Sequence, residues 1–293
     1  MATTGTSDSI RPLTDRQKTA LVKLLGDDDP AVYHTIRTKI LSYGEAASDW
    51  LRPHSLSSDP AVRRRVQEIV HHLARQSSDN RFLSFCVSQG EDLDLEEGTW
   101  LLAQTQYPEI NIAAYQALFD SYASDLRERI DFGAGPEMIL ATINRYLFSE
   151  LEYSGNEDSY YDPDNSYLNR VVDRRTGNPI SLCVVYLFVA RRLRLPVAGI
   201  GMPGHFLVRF QSSSEGEIFD DAFNRGKLLS KADCIKYLLH TSYGFQEAHL
   251  GPVTPRRILL RACSNLHQIY TQLSLEEEAA RFQRYIVALT KQS

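Results

Sequence analysis

Cysteine is scarce in this sequence, and the four present, Cys86, Cys183, Cys234 and Cys263, lie far apart with no CxxC pair. That spacing argues against both a zinc knot and a disulfide framework and for a reducing compartment. A cytoplasmic location is therefore expected. Clustered positive charge is also lacking: no long basic run occurs beyond Arg63-Arg64-Arg65, and the formal net charge is -5. Nucleic-acid binding is not expected, because neutralising phosphates needs a basic surface; the Arg triplet reads as the solvated face of a helix. The opening MATTGTSDSIRPLT has neither a basic nor an apolar segment and does not read as a secretory leader. The most apolar run, Ile180 to Ala190, is too short to span a bilayer and ends in Arg191-Arg192. No glycine-rich phosphate loop and no His/Cys/Asp cluster with ligand spacing occurs, so neither a metal nor an organic cofactor is expected.

What is present has the balance of an ordinary globular protein: 43% hydrophobic and 24% charged residues over 293 positions. That is enough chain for one large domain or a few small ones, with ample core. Residues 1–13 are Thr/Ser/Gly-rich and read as a disordered tail. Residues 14–132 read as a helical domain. Within it Asp29-Pro30-Ala31-Val32 recurs as Asp59-Pro60-Ala61-Val62. In each copy the Asp can cap a helix and the Pro suits its first turn, where no N–H partner is needed. The two copies resemble HEAT-type repeat units, or equally two ordinary capped helices of a bundle. His71 and His72 are read at the end of the second helix. Further helices are expected over 96–106 and 108–130, the latter with an apolar stripe of Ile112, Tyr115, Leu118, Phe119, Tyr122 and Leu126.

Phe132-Gly133-Ala134-Gly135-Pro136 interrupts the pattern and marks a domain boundary, after which a helix is expected over 136–148. A core domain is read over 133–250. At its centre Gly177 supplies a turn, Asn178 is a good N-cap and Pro179 takes the first helical position. An apolar helix then runs to Leu193. Cys183 falls a full turn inside that helix, where burial raises a thiol pKa, so on its own it reads as a small core residue. Downstream, alternation groups His205, Leu207 and Arg209 on one face of a strand, and Glu217, Phe219 and Asp221 on one face of the next. Ser212–Gly216 is the turn between them. Pairing Arg209 opposite Glu217 sets Leu207 against Phe219 and His205 against Asp221, with Asp220 pointing away. A His oriented by a carboxylate is the base-and-orienter half of a nucleophilic triad, and equally a common structural pair. Asn165, Asn169, Arg174 and Arg175 precede the helix and could line a cleft entrance together with Asn178 and Ser181. In the plainer reading Asp162-Pro163-Asp164-Asn165 is a turn and Asn169 a cap. Tyr160 and Tyr161 are read as packing residues. Residues 251–293 read as a tetratricopeptide-like helical hairpin, with Thr254-Pro255 opening one helix and Ser274-Leu275-Glu276-Glu277 a capping box for the next.

The ordered string GNPISLCVVYLFVARRLRLP, PGHFLVRF and FDDAF, with its approach segment YYDPDNSYLNRVVDRRTGNPISL, resembles the transglutaminase-like superfamily, specifically its SirB-type branch. The likeness covers almost the whole chain. It implies an α+β fold: a helical N-terminal domain, then a papain/transglutaminase-like core with a helix packed on a small antiparallel sheet, then the C-terminal helical hairpin. In active members a Cys at a helix start attacks an amide or acyl carbon, activated by a His and an Asp on neighbouring strands. The resemblance carries the His to His205, the Asp to Asp221 and the Cys position to Pro179, which has no nucleophile. Losing a triad nucleophile costs roughly 10⁶ in rate. The first expectation is therefore a degenerate, non-enzymatic domain that holds a peptide or protein partner in its cleft. The second is a thiol amidase, peptidase or transglutaminase using Cys183 as nucleophile, His205 as base and Asp221 as orienter. The third is an architectural adaptor with an unused cleft.

Overall fold

The computed structural model describes residues 13–211 and 217–291. The expected N-terminal tail, apart from Leu13, and the expected turn at Ser212–Gly216 lie outside the described residues. The chain divides into two compact units: residues up to Asn80 with Gln104–Glu109, and Arg81–Ala103 with the rest from Ile110 on.

The first unit is built on α1 (Asp15–Leu24), α2 (Pro30–Leu41), α3 (Glu45–Leu51) and most of α4 (Pro60–Ser88). Asp29 and Asp59 each accept a backbone N–H two residues on, from Ala31 and Ala61, both at 2.8 Å, so each Pro enters a helix already capped. The apolar faces meet in one core around Ile40, Leu51, Val66 and Ile69. His71 and His72 do not end a helix: α4 continues to Ser88, because no Gly or Pro interrupts 61–89.

The second unit contains α5 (Leu95–Gln106) up to Ala103, α6 (Ile112–Arg127) and α7 (Pro136–Asn144). α6 starts at Ile112 rather than near Pro108, because the side chain of Asn111 accepts the Ala114 N–H and fixes the first turn there. α7 gives way to a π-helical turn over Arg145–Glu150 that buries Tyr146, Leu147 and Phe148. Two-residue strands β1 (Ser154–Gly155) and β2 (Thr176–Gly177) pair in parallel, flanking α8 (Leu168–Arg174). α9 (Pro179–Leu193) follows and is buried along nearly its whole length, as its apolar composition dictates. It packs on α6 and on the sheet β3 (Val197–Ile200), β4 (Leu207–Phe210), β5 (Ile218–Asp221) and β6 (Lys227–Ser230), an antiparallel meander in that order. Phe119, Tyr122 and Leu126 of α6 share one core with α9, so α6, which precedes Gly133, is part of this unit's interior.

Pairing of β4 with β5 differs from expectation by two residues: Arg209 lies opposite Phe219 and Val208 opposite Asp220. A two-residue shift leaves each side chain on its expected face, since strand side chains alternate with period two. Arg209 still reaches Glu217, and His205 still reaches Asp221, as diagonal rather than direct neighbours.

α10 (Lys231–Leu239) follows the sheet, and the chain closes with α11 (Pro255–Gln272) and α12 (Glu276–Thr290), packed together. Ser274 does not cap α12. It takes the left-handed conformation at φ 57°, and Leu275 occupies the cap position without a side-chain bond. The pair is fastened by Arg256, whose buried guanidinium donates to the carbonyls of Cys86, Gln89, Ala288 and Leu289. No helix among the described residues is long and apolar enough to cross a membrane.

Candidate functional site

The tip of α9 is held from several sides. Asn178 Oδ1 accepts the Ser181 N–H at 2.9 Å, and Ser181 Oγ accepts the Asn178 N–H at 3.0 Å, a reciprocal cap. Asn178 Nδ2 donates to Ser166 Oγ at 2.8 Å, and Ser181 Oγ donates to the Asn165 carbonyl at 2.6 Å. Gly177 is required for close approach rather than for a turn: a Cβ there would stand 2.5 Å from Ser181 Oγ. Asn165 is buried and ties its loop, with Nδ2 donating to the Ser159 and Tyr160 carbonyls and Oδ1 accepting from Asn156. Asn165 and Ser181 therefore brace the tip, while Asn178 also borders the cleft beside it. Asn169 is buried in α8, and its Oδ1 has no hydrogen-bond partner. Arg175 is exposed, left-handed at φ 53°, and donates to the Leu151 carbonyl; Arg174 pairs with Asp162 and Asp164. Neither arginine lines the cleft.

His205 sits just before β4, after a turn in which Gly204 has φ 77° and His205 N–H donates to the Met202 carbonyl. Its Nε2 is 2.9 Å from Asp221 Oδ1. The distance is that of an ion pair, although Nε2 makes no well-aligned hydrogen bond. Burial pushes the Asp221 carboxyl up, but the His205 imidazole and the side-chain and backbone N–H groups of Asn224 outweigh it and hold the carboxyl below its usual range. Aromatic edges box the imidazole, with the Phe223 and Tyr237 ring centres 6.2 and 6.1 Å away. From α11, Arg261 donates to the His205 carbonyl at 2.9 Å and lies over the Phe206 ring.

Two clefts meet at His205. One, of about 360 Å³, is bordered by Pro179, His205, Tyr160, Tyr161, Tyr243 and Arg261. The other, of about 730 Å³, is bordered by His205, Asp221, Asn224, Lys227, Lys236 and Tyr237. His205 and the helix tip at Pro179 thus face the same space. Tyr160 packs edge-on against Tyr161 and Phe223, and both tyrosines, 39% and 57% exposed, also stand in the cleft wall.

Cys183 has no exposed surface, belongs to the core around α9 and borders neither cleft. Its Sγ lies 3.5 Å from the Phe206 carbonyl oxygen, and burial, with Asp221 and Asp220 nearby, pushes the thiol well above its usual value. Asp220 faces the opposite side of the sheet from Asp221. It is fully buried, accepts from Asn144 Nδ2, and burial raises its carboxyl to about 7.

Sequence reasoning missed Arg261, Asn224 and Asn144. Asn224 directly continues the FDDAF string and was within reach of the same reading. Arg261 had no local signal, since it lies on a helix assigned to a separate hairpin. Among the described residues, no group of three or more His, Cys, Asp or Glu side chains could hold a metal ion.

The family model described as "Transglutaminase-like superfamily" matches residues 113–264, a span that contains the α9 tip, both strands of the His–Asp pair and Arg261. A UPF0162 protein of Xylella fastidiosa (strain 9a5c) is 39% identical over 205 residues, covering 68% of this chain and 72% of that protein. Human F-box only protein 21 is 37% identical over 230 residues, covering 69% of this chain and 36% of that protein. A UPF0162 protein of Vibrio cholerae is 28% identical over 214 residues, covering 71% and 74%. No solved structure matches.

Proposed function

The chain belongs to the transglutaminase-like superfamily, and from that premise we propose that it is a degenerate, SirB-type member that binds an extended peptide or protein segment across His205 without cleaving it. One observation carries the reading: Pro179 shares the cleft with His205, while Cys183 is sealed in the core with its thiol at the Phe206 carbonyl. A nucleophile must reach both its base and the substrate, and a thiol must ionise to attack. Cys183 has no exposed surface from which to meet a substrate, and burial pushes its thiol up, against ionisation. The retained His205–Asp221 pair then serves to fix the junction of the two clefts, with the imidazole presented as a hydrogen-bonding group for a bound backbone. Exposed tyrosines at the rim, Tyr161 and Tyr243, suit a peptide because they bring apolar area at low side-chain entropy cost. The homology with F-box only protein 21 is in keeping with a protein partner.

The test is fluorescence anisotropy of a dye-labelled unstructured peptide, followed by mass spectrometry of that peptide. The reading expects saturable binding, at least tenfold weaker in the Tyr161→Ala/Tyr243→Ala double variant, and an intact peptide afterwards. A hydrolysed or cross-linked peptide, lost in a Cys183→Ala variant that still folds, would establish the thiol-enzyme alternative instead.

A further inference from the structure

We infer that the cleft beside the α9 tip contains a carboxylate-recognition subsite built on Arg261, Asn265 and Gln268 of α11, so that the bound peptide presents either a free C-terminus or an acidic side chain there. The inference rests on the peptide-binding reading above and adds the chemistry of one subsite to it.

Three other arginines of this unit that are shielded from solvent meet carboxylates or carbonyls. Arg192 is met by Glu96 and Asp120, and Arg209 by Glu217. Arg256 is surrounded by helix-terminal carbonyls. Arg261 is different. Its one hydrogen bond goes to the His205 carbonyl, and among the described residues no carboxylate forms an ion pair with it. Its electrostatic neighbours are the phenols of Tyr160 and Tyr237 and the buried thiol of Cys183, not a carboxylate. A guanidinium carries five N–H donors in a planar fork, so one bond to a carbonyl leaves most of them unused. A cation taken partly out of water with no counter-charge is costly unless a ligand supplies one.

Position decides where that ligand sits. Arg261, Asn265 and Gln268 fall at i, i+4 and i+7 of one helix, hence on one face, and all three border the cleft shared with His205 and Pro179. A guanidinium beside two side-chain amides is a donor set suited to a planar, singly charged group, which an arginine fork can hold with two parallel bonds. A phosphate dianion calls for more positive charge than this single cation offers, and the chain as a whole is acidic at -5. The chemistry named is therefore a carboxylate, from a chain terminus or from Asp or Glu.

The experiment is NMR titration of the ¹⁵N-labelled full chain. It follows the Arg261 Nε–H and Gln268 side-chain amide signals, assigned through Arg261→Lys and Gln268→Leu. Three probes are used: N-acetyl-tetraalanine with a free carboxylate, the same peptide amidated, and N-acetyl-Ala-Ala-Glu-Ala-amide. The inference expects the free-carboxylate or Glu peptide to bind at least fivefold more tightly than the neutral amide. It also expects Arg261→Gln to erase that preference while neutral-peptide binding persists. Which acidic probe wins separates a chain terminus from a side chain. Equal binding of all three peptides overturns the subsite and leaves the peptide-binding reading intact. If no probe binds saturably, both fall. Should Arg261→Gln unfold the protein, Gln268→Leu must still reduce the preference at least twofold; an unchanged preference there overturns the subsite.

Discussion

His205 Nε2 and Asp221 Oδ1 stand 2.9 Å apart across β4 and β5, although the ladder does not place the two residues opposite each other. The contact is diagonal, made possible because both side chains stay on one face under an even shift of register. Asp221 ionises below the usual carboxylate range. A depressed folded-state value means that the ionised carboxylate stabilises the fold above the unfolded Asp value, near 4, and that this contribution is lost as pH falls through the folded value. Asp221→Asn should therefore lower stability at pH 7 by about 1.5–3 kcal/mol, the range for hydrogen bonds to a charged group. The loss should shrink as urea-unfolding experiments move below pH 4. An equal loss at pH 7 and pH 3 would contradict the assignment.

Asp220 behaves with the opposite sign. Burial raises its carboxyl to about 7, with Asp221 adding to the rise and Asn144 opposing it. The folded state then binds a proton that the unfolded chain has already released, so stability falls as pH rises between about 4 and 7. The cost above pH 7 is on the order of 4 kcal/mol, from about 1.4 kcal/mol per pH step. Protonation also brings a donor into a cluster where Asp220 Oδ1 and Asn144 Oδ1 have none. Asp220→Asn should stabilise the protein at pH 8 and flatten its stability curve between pH 5 and 8. A variant less stable than the parent at pH 8 would refute this.

Gly177→Ala tests the bracing of the α9 tip. Its Cβ would stand 2.5 Å from Ser181 Oγ and 3.0 Å from Val171, so the reciprocal cap with Asn178 must open. Overpacking costs about 1–3 kcal/mol and cap loss about 0.5–2 kcal/mol, and the thermal midpoint should drop by several degrees. An unchanged midpoint would show that the tip is looser than described.

The sequence made α9 legible because Asn-Pro marks its start and its apolar run is continuous. The His–Asp pair was legible because period-two alternation survives a shift of two residues. The register itself was not, since the five-residue Ser/Glu/Gly link reads as a turn without fixing which residues pair. Arg63-Arg64-Arg65 shows a similar limit: Arg65 is not simply solvated but donates to the Leu25 and Asp27 carbonyls and lies over Tyr33. The compact units were hidden as well. Gly133 interrupts a helical pattern, yet Phe119 and Tyr122 before it pack on α9 after it. Arg261 was invisible as a cleft residue because its place depends on how α11 packs, which no local pattern encodes.

Thiol alkylation of the native chain asks whether any cysteine serves the cleft. All four cysteines are buried, and burial raises the thiols of Cys86 and Cys234 to about 12 and pushes those of Cys183 and Cys263 well above their usual value. Iodoacetamide at pH 6 to 8, read by intact-protein mass, should add no label before unfolding and one per cysteine after it. A single fast adduct on Cys183 below neutral pH, lost when His205 is changed to Ala, would contradict the account and restore a working thiol to the cleft.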